Sequence, residues 1–207
     1  MARKYRINYG RKTVKPFNID DVNNMLVYCL KNKSSAIEHN DSSQTYLWYR
    51  NWLIIKLGIN TAFRIEDLLQ LKVDNIKGSY MYIREFKTGK EQSFELNPKL
   101  AQIIATYISD NKLVEGEYLF KSKIGVNKPI TRQRAWQIIK EIASVQKINY
   151  PVGCHSLRKC FARQFYEQTG DIIALKEMLN HSSERVTLLY ICWDDERKNK
   201  NRKEFYL

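Results

Sequence analysis

The sequence predicts a mainly α domain that carries one small antiparallel β-sheet, an α+β fold. Apolar residues recur at helical spacing through most of the chain. One stretch, between Val73 and Leu96, instead alternates apolar with more polar residues, a pattern typical of strands. The length of 207 residues suits one good-sized domain, or one domain with a small appendage.

The first part of the chain predicts three helices. The first opens at Asn18, where acidic residues in the first turn favour the positive end of the helix dipole. Residues 31–43 are polar and are expected to form a loop. The second helix runs from about Ser43 to Leu57, is rich in aromatic residues and meets a natural stop at Gly58. A short third helix follows, and its expected buried face consists of Ile65, Leu68, Leu69 and Leu71.

A β-hairpin and a second group of helices come next. Met81 and Ile83 alternate with more polar neighbours, as do Phe94 and Leu96, and the turn residues 87–90 separate the two runs. The tip of this hairpin is basic. The remainder is expected to be mostly helical, over about residues 98–110, 131–146, 156–168, 171–179 and 183–190.

The two ends of the chain differ from the predicted domain. Residues 1–16 are strongly basic, contain no acidic residue and show little apolar periodicity. We expect them to form an N-terminal arm or the remnant of a linker, followed by one domain over residues 17–207. The last part of that domain, about residues 194–207, is expected to be a charged C-terminal tail.

The charge balance points to a polyanionic partner. Lysine and arginine number 35 against 22 aspartates and glutamates, a formal net charge of +13. Such a field attracts polyanions, so nucleic acid is the first candidate partner and an anionic membrane surface the second. A basic surface that merely aids solubility is the alternative. No apolar run reaches the length of a membrane-spanning helix, and no membrane partner is expected.

The cysteines carry little functional signal. Four of them lie far apart, without CxxC spacing or a nearby group of histidines, which argues against a zinc site and against a disulfide scaffold. Reduced thiols and a cytoplasmic location are therefore expected.

Five polar residues stand out by their order and spacing. His155 and Arg158 form a His-x-x-Arg motif near the start of a predicted helix. His181 follows Arg158 by 23 positions, and Tyr190 follows His181 by nine. Arg64 occurs much earlier, in the short leucine-rich helix.

This arrangement resembles the signature of the tyrosine recombinase, or phage integrase, family. The family motif is an arginine in a short helix, a hairpin lysine, a His-x-x-Arg helix, a late histidine or tryptophan, and a tyrosine nine residues later. Lys87, directly before Thr88 and Gly89, fits the hairpin lysine. The resemblance extends from about Phe17 to the tail. It implies the catalytic-domain fold of that family and a site-specific recombinase or integrase, a DNA strand transferase that forms a 3′-phosphotyrosine intermediate.

The chemistry of phosphodiester cleavage gives each residue type a role within this resemblance. Arg64 and Arg158 would clamp the scissile phosphate, because guanidinium groups match its geometry and stay charged. Tyr190, the expected nucleophile, normally titrates near pH 10 and needs help to react at neutral pH. A positive field should favour its phenolate, with His155 as base or phosphate donor and His181 as a second phosphate donor.

Two more residues complete the expected site. Lys87 would protonate the leaving 5′ oxygen, and Asp67 would orient an arginine or histidine. The phosphotyrosine preserves the energy of the broken bond, and the sequence shows no P-loop, so no cofactor and no metal is expected.

Further basic positions suit DNA contacts outside the reacting centre. They lie before and at the start of the helix predicted at 131–146, and for any one of them a solvated helix N-terminus is the alternative. The expected DNA ligands are Lys121, Lys123, Thr131, Arg132 and Arg134. Trp136, further along this helix, is expected in the core.

Each residue of the motif also has an ordinary structural interpretation. Arg64 could be salt-bridged, and His155 and His181 could cap helices. Tyr190 could be one packing residue among 13 tyrosines, and Lys87 could be a solvated residue at the tip of a hairpin. Taken together, these interpretations require five coincidences. Two rival functions are a type IB topoisomerase, which uses a similar site, and a non-enzymatic regulator that binds DNA.

The resemblance also implies partners and shows departures. The implied partners are double-stranded DNA and other recombinase subunits, as a tetramer in the synapse, in a bacterial, phage or mobile-element setting. Family members usually carry an additional N-terminal helical domain, whereas here only the basic arm precedes Phe17; the sequence is expected to be either the catalytic half of a longer protein or a naturally minimal one. Asn180 replaces a common glycine, and Lys159 a common histidine.

Overall fold

The computed structural model describes residues 14–84, 89, 91–191 and 202–206. Within these residues the chain forms eight α-helices and a three-stranded antiparallel sheet, which confirms the mainly α fold with a small sheet. A single 3-10 turn, Val73–Asn75, precedes the sheet. The elements are, in order, α1 (Ile19–Glu38), α2 (Ser42–Gly58), α3 (Ile65–Leu69), β1 (Ile76–Lys77), β2 (Tyr80–Arg84), β3 (Glu91–Glu95), α4 (Pro98–Asp110), α5 (Arg132–Val145), α6 (Cys154–Thr169), α7 (Ile172–Leu179) and α8 (Glu184–Tyr190).

The prediction of a loop at residues 31–43 was largely wrong, because helix α1 continues to Glu38. The polar last turns are held by packing on α2. Ala36 is buried there, and the Nζ of Lys33 lies 3.4 Å from the centre of the Tyr49 ring. These tertiary contacts outweigh the weak helical preference of the local sequence.

The hairpin follows the alternation in the sequence. Met81 and Ile83 are buried on one face of β2, while their neighbours in the strand are exposed. Met81 pairs with Phe94 on β3, in antiparallel register. Of the basic tip predicted at residues 87–90, residues 87, 88 and 90 lie outside the described residues.

Two apolar clusters organise the molecule. The larger one joins the first five helices to the sheet and to the first half of α6. The smaller one lies where α6, α7 and α8 meet, and Tyr190 packs against it. It therefore fixes the C-terminal helices relative to the loop before α3. The buried members of the smaller cluster are Ala62, Ala162, Leu175, Leu179 and Ile191.

No helix in the described part of the chain combines the length and the apolar character needed to cross a bilayer.

Candidate active site

Arg158 forms the centre of the site. It lies on α6, is 7% exposed, and its guanidinium donates hydrogen bonds to the carbonyl oxygens of Ala62 and Leu179, the latter at 2.7 Å. Ala62 lies two residues before Arg64, and Leu179 two residues before His181. One buried side chain thus holds together the two loops that carry the other predicted phosphate ligands.

Arg64 and Asp67 lie at the start of α3, next to this anchor. Arg64 occupies the N-cap position of α3 in an extended backbone conformation, and Asp67 is 2% exposed in the first turn. Burial lowers the pKa of Arg158, and the charge of Arg64 lowers it further, whereas Tyr190 and Asp67 act in the opposite direction. The buried carboxylate of Asp67 therefore offsets part of the repulsion between the two arginines.

His181 is positioned by the tight connection between α7 and α8. Asn180 ends α7 in the left-handed conformation, with a φ of 53°, and Ser183 caps α8 by accepting a hydrogen bond from the amide of Val186. The Nδ1 of His181 lies 3.1 Å from the hydroxyl oxygen of Thr187, and its ring meets that of Tyr190 edge-on with centres 5.0 Å apart. The imidazole is thereby held against the predicted nucleophile.

The electrostatic environment keeps His181 neutral. Burial lowers the pKa of His181 to about 4, and the charges of Arg158 and Arg64 contribute to the decrease. Near pH 7 the ring is therefore an uncharged imidazole, which can either accept or donate a hydrogen bond.

Tyr190 is the last residue of α8, and its hydroxyl is buried. Among the described residues this oxygen has no hydrogen-bond partner of normal geometry, although Arg158 lies close enough to affect its ionisation. Burial raises the pKa of Tyr190, while Arg158 and Arg64 lower it, and burial has the larger effect. The positive field acts in the expected direction, but without DNA it does not lower the pKa below the ordinary value. An unpaired buried hydroxyl is costly unless a ligand completes its environment.

His155 lies in the first turn of α6, as predicted. Its side chain is partly open to solvent, yet desolvation by the surrounding protein lowers its pKa, followed by the charges of Arg132, Arg158 and Lys159. A neutral His155 can accept a proton. It belongs to the same basic cluster as Arg158.

The structure thus brings together most of the residues selected from the sequence. Arg64, Arg158, His181 and Tyr190 interact with one another. Lys87 lies outside the described residues. Within the described residues no group of three or more His, Cys, Asp or Glu side chains could hold a metal ion.

Sequence reasoning did not recognise Thr187 and Lys159 as parts of this site. Thr187 is fully buried and contacts His181, a role that its i+6 spacing did not suggest. Lys159 was noted only as a departure from the family pattern, but its Nζ lies 5.1 Å from the centre of the Tyr190 ring.

The prediction for Trp136 was wrong, because this side chain is 48% exposed on α5. Its indole instead lies over the start of α6. A Cβ added to Gly153 would stand 3.3 Å from the indole Nε1, so the absence of a side chain there lets the ring approach. The helical periodicity of α5 did not distinguish this partly covered position from the core.

The start of α5 is exposed. The hydroxyl of Thr131 accepts a hydrogen bond from the amide of Arg134 at 3.1 Å and so caps the helix. Arg132 forms an ion pair with Glu66 at 2.8 Å. This pair lies beside the basic cluster around Arg158, because the charge of Arg132 also lowers the pKa of His155.

The two lysines before α5 lie in the preceding loop. Lys121 pairs with Glu117 at 2.8 Å, and Lys123 is exposed. The five positions predicted to bind DNA stay predictions.

Comparison with known proteins identifies the family. The sequence model of the phage integrase family matches residues 18–197. The chain belongs to this family. It is 38% identical to the probable integrase/recombinase YoeC of Bacillus subtilis over 157 residues, which cover 75% of this chain and 84% of that protein. It is 28% identical to the tyrosine recombinase XerD of Staphylococcus aureus over 204 residues, 96% of this chain and 64% of that protein.

Solved structures show the same fold. The structure of the XerH site-specific recombinase bound to palindromic difH substrate matches with a TM-score of 0.69 at 21% identity, covering 92% of this chain and 53% of that one. The XerA recombinase matches with a TM-score of 0.69 at 18% identity, covering 95% and 67%. This chain therefore spans about half to two-thirds of several longer relatives. The expected membership of the tyrosine recombinase, or phage integrase, family is thus confirmed.

Proposed function

We propose that this chain is a site-specific recombinase or integrase that breaks and rejoins DNA strands through a 3′-phosphotyrosine at Tyr190. The observation that carries the proposal is the meeting of Tyr190 with Arg64, Arg158 and His181 in one basic site. In this family of proteins, that combination suits attack of a phenol on a phosphodiester.

The two arginines would bind the non-bridging oxygens of the scissile phosphate. Arg158 is preorganised, because two backbone carbonyls fix its guanidinium and the remaining N–H groups can face a ligand. Arg64, at the N-terminus of α3, would approach the phosphate from a second element. Charged donors fixed before the reaction stabilise the transition state without reorganisation.

Proton transfer would complete the reaction. Burial keeps Tyr190 protonated, so a neutral imidazole must take the phenolic proton. His155 is proposed as base or phosphate donor and His181 as a second phosphate donor. Lys87 is proposed to protonate the 5′ oxygen as it leaves. The phosphotyrosine then stores the energy needed for rejoining, and Asp67 supports Arg158.

Double-stranded DNA is the proposed partner, and the basic surface around α5 its binding face. Arg132 would exchange Glu66 for a phosphate, while Thr131 and Arg134 border the same helix start. Lys121 and Lys123 would extend the contact. Binding through such phosphate contacts should weaken steeply as salt rises.

Assembly on DNA with further recombinase subunits, up to a tetramer in the synapse, is the finer part of the proposal. Residues 1–16 would then be the basic arm, 17–207 the catalytic domain and about 194–207 its tail. Phe205 and Tyr206 are 71% and 96% exposed, which suits an anchoring role on a neighbouring subunit. Deleting residues 202–207 should weaken assembly on DNA, measured by light scattering. The proposed location is the cytoplasm, in a bacterial, phage or mobile-element setting.

The test is covalent capture. The protein would be incubated with a library of randomised duplexes that carry a central nick, quenched in detergent, and the attached DNA sequenced. We expect adducts that share a sequence, with the nucleotide on the tryptic peptide containing Tyr190, and no adduct with Tyr190→Phe. An adduct that survives this substitution would disprove the assignment of the nucleophile.

The same library separates the rival functions. The captured sequence would next be built into two separate DNA molecules. Strand exchange between these two molecules indicates a recombinase. Relaxation without exchange would indicate a topoisomerase. Sequence-specific binding that Tyr190→Phe leaves unchanged, without any adduct, would indicate a regulator.

A further inference from the structure

Lys159 is a buried lysine that the proposed chemistry does not use. It follows Arg158 on α6 and is 7% exposed. Burying an ammonium group is costly unless polar partners surround it. The Nζ of Lys159 donates a hydrogen bond to the carbonyl oxygen of Val14 at 2.9 Å.

The same ammonium group faces the predicted nucleophile. It lies 5.1 Å from the centre of the Tyr190 ring, within the range of about 6 Å in which a cation is attracted by an aromatic face. Lys159 also contributes to the positive field at His155. A single buried charge therefore acts on both His155 and the ring of Tyr190.

The partner segment at the N-terminus is itself attached to α6. The amide of Lys15 donates to the carbonyl of Pro151 at 2.8 Å, and the amide of Phe17 to that of Ser156 at 3.4 Å. Residues 14–17 thus run along the beginning of the helix that carries Arg158. Lys159, which follows Val14 by 145 positions in the sequence, connects this segment to the Tyr190 ring at the end of α8.

We propose that Lys159 is a positioning residue, which holds the Tyr190 ring in place, favours its ionised form and couples it to the N-terminal segment at Val14. This inference rests on the proposed role of Tyr190. The other charged or titratable groups that act on Tyr190 are Arg64 before α3, Arg158 on α6 and His181 between α7 and α8. Lys159 differs from these, because its ammonium group lies over the ring and also donates a hydrogen bond to Val14 in the N-terminal segment.

The reaction shows why such a charge matters. The phenolate oxygen forms a bond to phosphorus while the bond from phosphorus to the 5′ oxygen breaks, and that oxygen takes up a proton. A nearby cation that favours the phenolate raises the reactive fraction of the nucleophile at neutral pH. It does not act on the leaving group.

The first experiment needs no DNA. 3-Fluorotyrosine, which has a more acidic phenol, would replace the tyrosine at position 190 alone, and fluorine NMR would follow its ionisation with pH. We expect Lys159→Met to raise the pKa of this phenol by about one unit, and Lys159→Arg to restore it nearly to the wild-type value. Lys31→Met removes an exposed lysine on α1 and should leave the titration unchanged.

A titration of Lys159→Met that coincides with the wild-type curve would overturn the inference. Methionine is a neutral side chain of similar length, so the buried site should tolerate it. Lys159→Gln serves as a second neutral variant. Thermal denaturation of each variant shows which ones are folded and can be interpreted.

The second experiment measures cleavage on the DNA sequence obtained by covalent capture. We expect Lys159→Met to slow single-turnover adduct formation about three- to tenfold, with the DNA dissociation constant nearly unchanged. The same slowing should occur when sulfur replaces the bridging 5′ oxygen, because a thiolate leaves without protonation. Lys87→Met, in contrast, should recover on the sulfur substrate.

Recovery of Lys159→Met on the sulfur substrate would assign this lysine to leaving-group protonation and refute a role at the nucleophile. The two proposals fail in different ways. If the wild-type protein forms no adduct through Tyr190, the proposed function fails, and the fluorine titration still decides whether Lys159 acts on the ring.

Discussion

The double anchor of Arg158 gives a prediction about stability. Arg158→Lys keeps the positive charge, but an ammonium group on a shorter stem cannot span the carbonyls of Ala62 and Leu179. At least one buried carbonyl then lacks its partner, which costs roughly 1–3 kcal/mol. We therefore expect a loss of about 2 kcal/mol in the free energy of unfolding, and for a chain of this size about 4–8 °C in Tm.

Thermal and urea denaturation of the DNA-free protein would measure this loss. Arg163→Lys is the matched control on the same helix, because Arg163 pairs with Glu167 at 2.8 Å near the surface. Such pairs contribute little, so this control should change stability by less than about 1 kcal/mol. If Arg158→Lys were no less stable than the control, the anchoring role of the two carbonyl bonds would be refuted.

Three further predictions concern the surroundings of the site. Asn180→Ala should lose about 1 kcal/mol in urea denaturation, because alanine adopts the left-handed φ of 53° less readily than asparagine, whose short polar side chain tolerates it; Asn180→Gly should match or exceed the wild type. The stability of the wild type should fall as pH drops from about 6.5 towards 4. Over this range the unfolded chain binds a proton that the half-buried His181 of the folded protein, with its pKa of about 4, does not. His181→Gln should lessen that fall, and a pH profile equal to that of the wild type would contradict this explanation. Gly58→Ala should lose roughly 1–3 kcal/mol, because its Cβ would stand 2.8 Å from Leu157, and a stability equal to that of the wild type would show that Leu157 moves freely.

The sequence predicted the elements whose signals are local. The helix expected at 98–110 is observed as Pro98–Asp110, with the side chain of Asn97 as its cap and proline in its first turn. The end of α1 depended instead on packing against α2, which no local pattern records. The two-residue strand Ile76–Lys77 is too short to show a period, and its pairing with β2 creates it.

The candidate site shows the same division. Motif spacing was enough to select Arg64, Arg158, His181 and Tyr190, because the family keeps the order of these residues along the chain. Spacing could not predict the pKa of Tyr190, which burial raises by more than the two guanidinium charges lower it. Nor could spacing predict the hydrogen bond between Lys159 and Val14, since that contact exists only in the folded chain.

The carbonyl bond from Arg158 to Ala62 joins residues 96 positions apart. Closing so long a loop costs chain entropy, and contacts of this kind form only when most of the fold is in place. A nascent or partly folded chain would therefore have the proposed nucleophile, Tyr190, without the arginine cluster assembled around it. The proposed capacity to attack a phosphodiester would therefore arise last in folding and disappear first on denaturation. A partly folded chain would not cleave DNA.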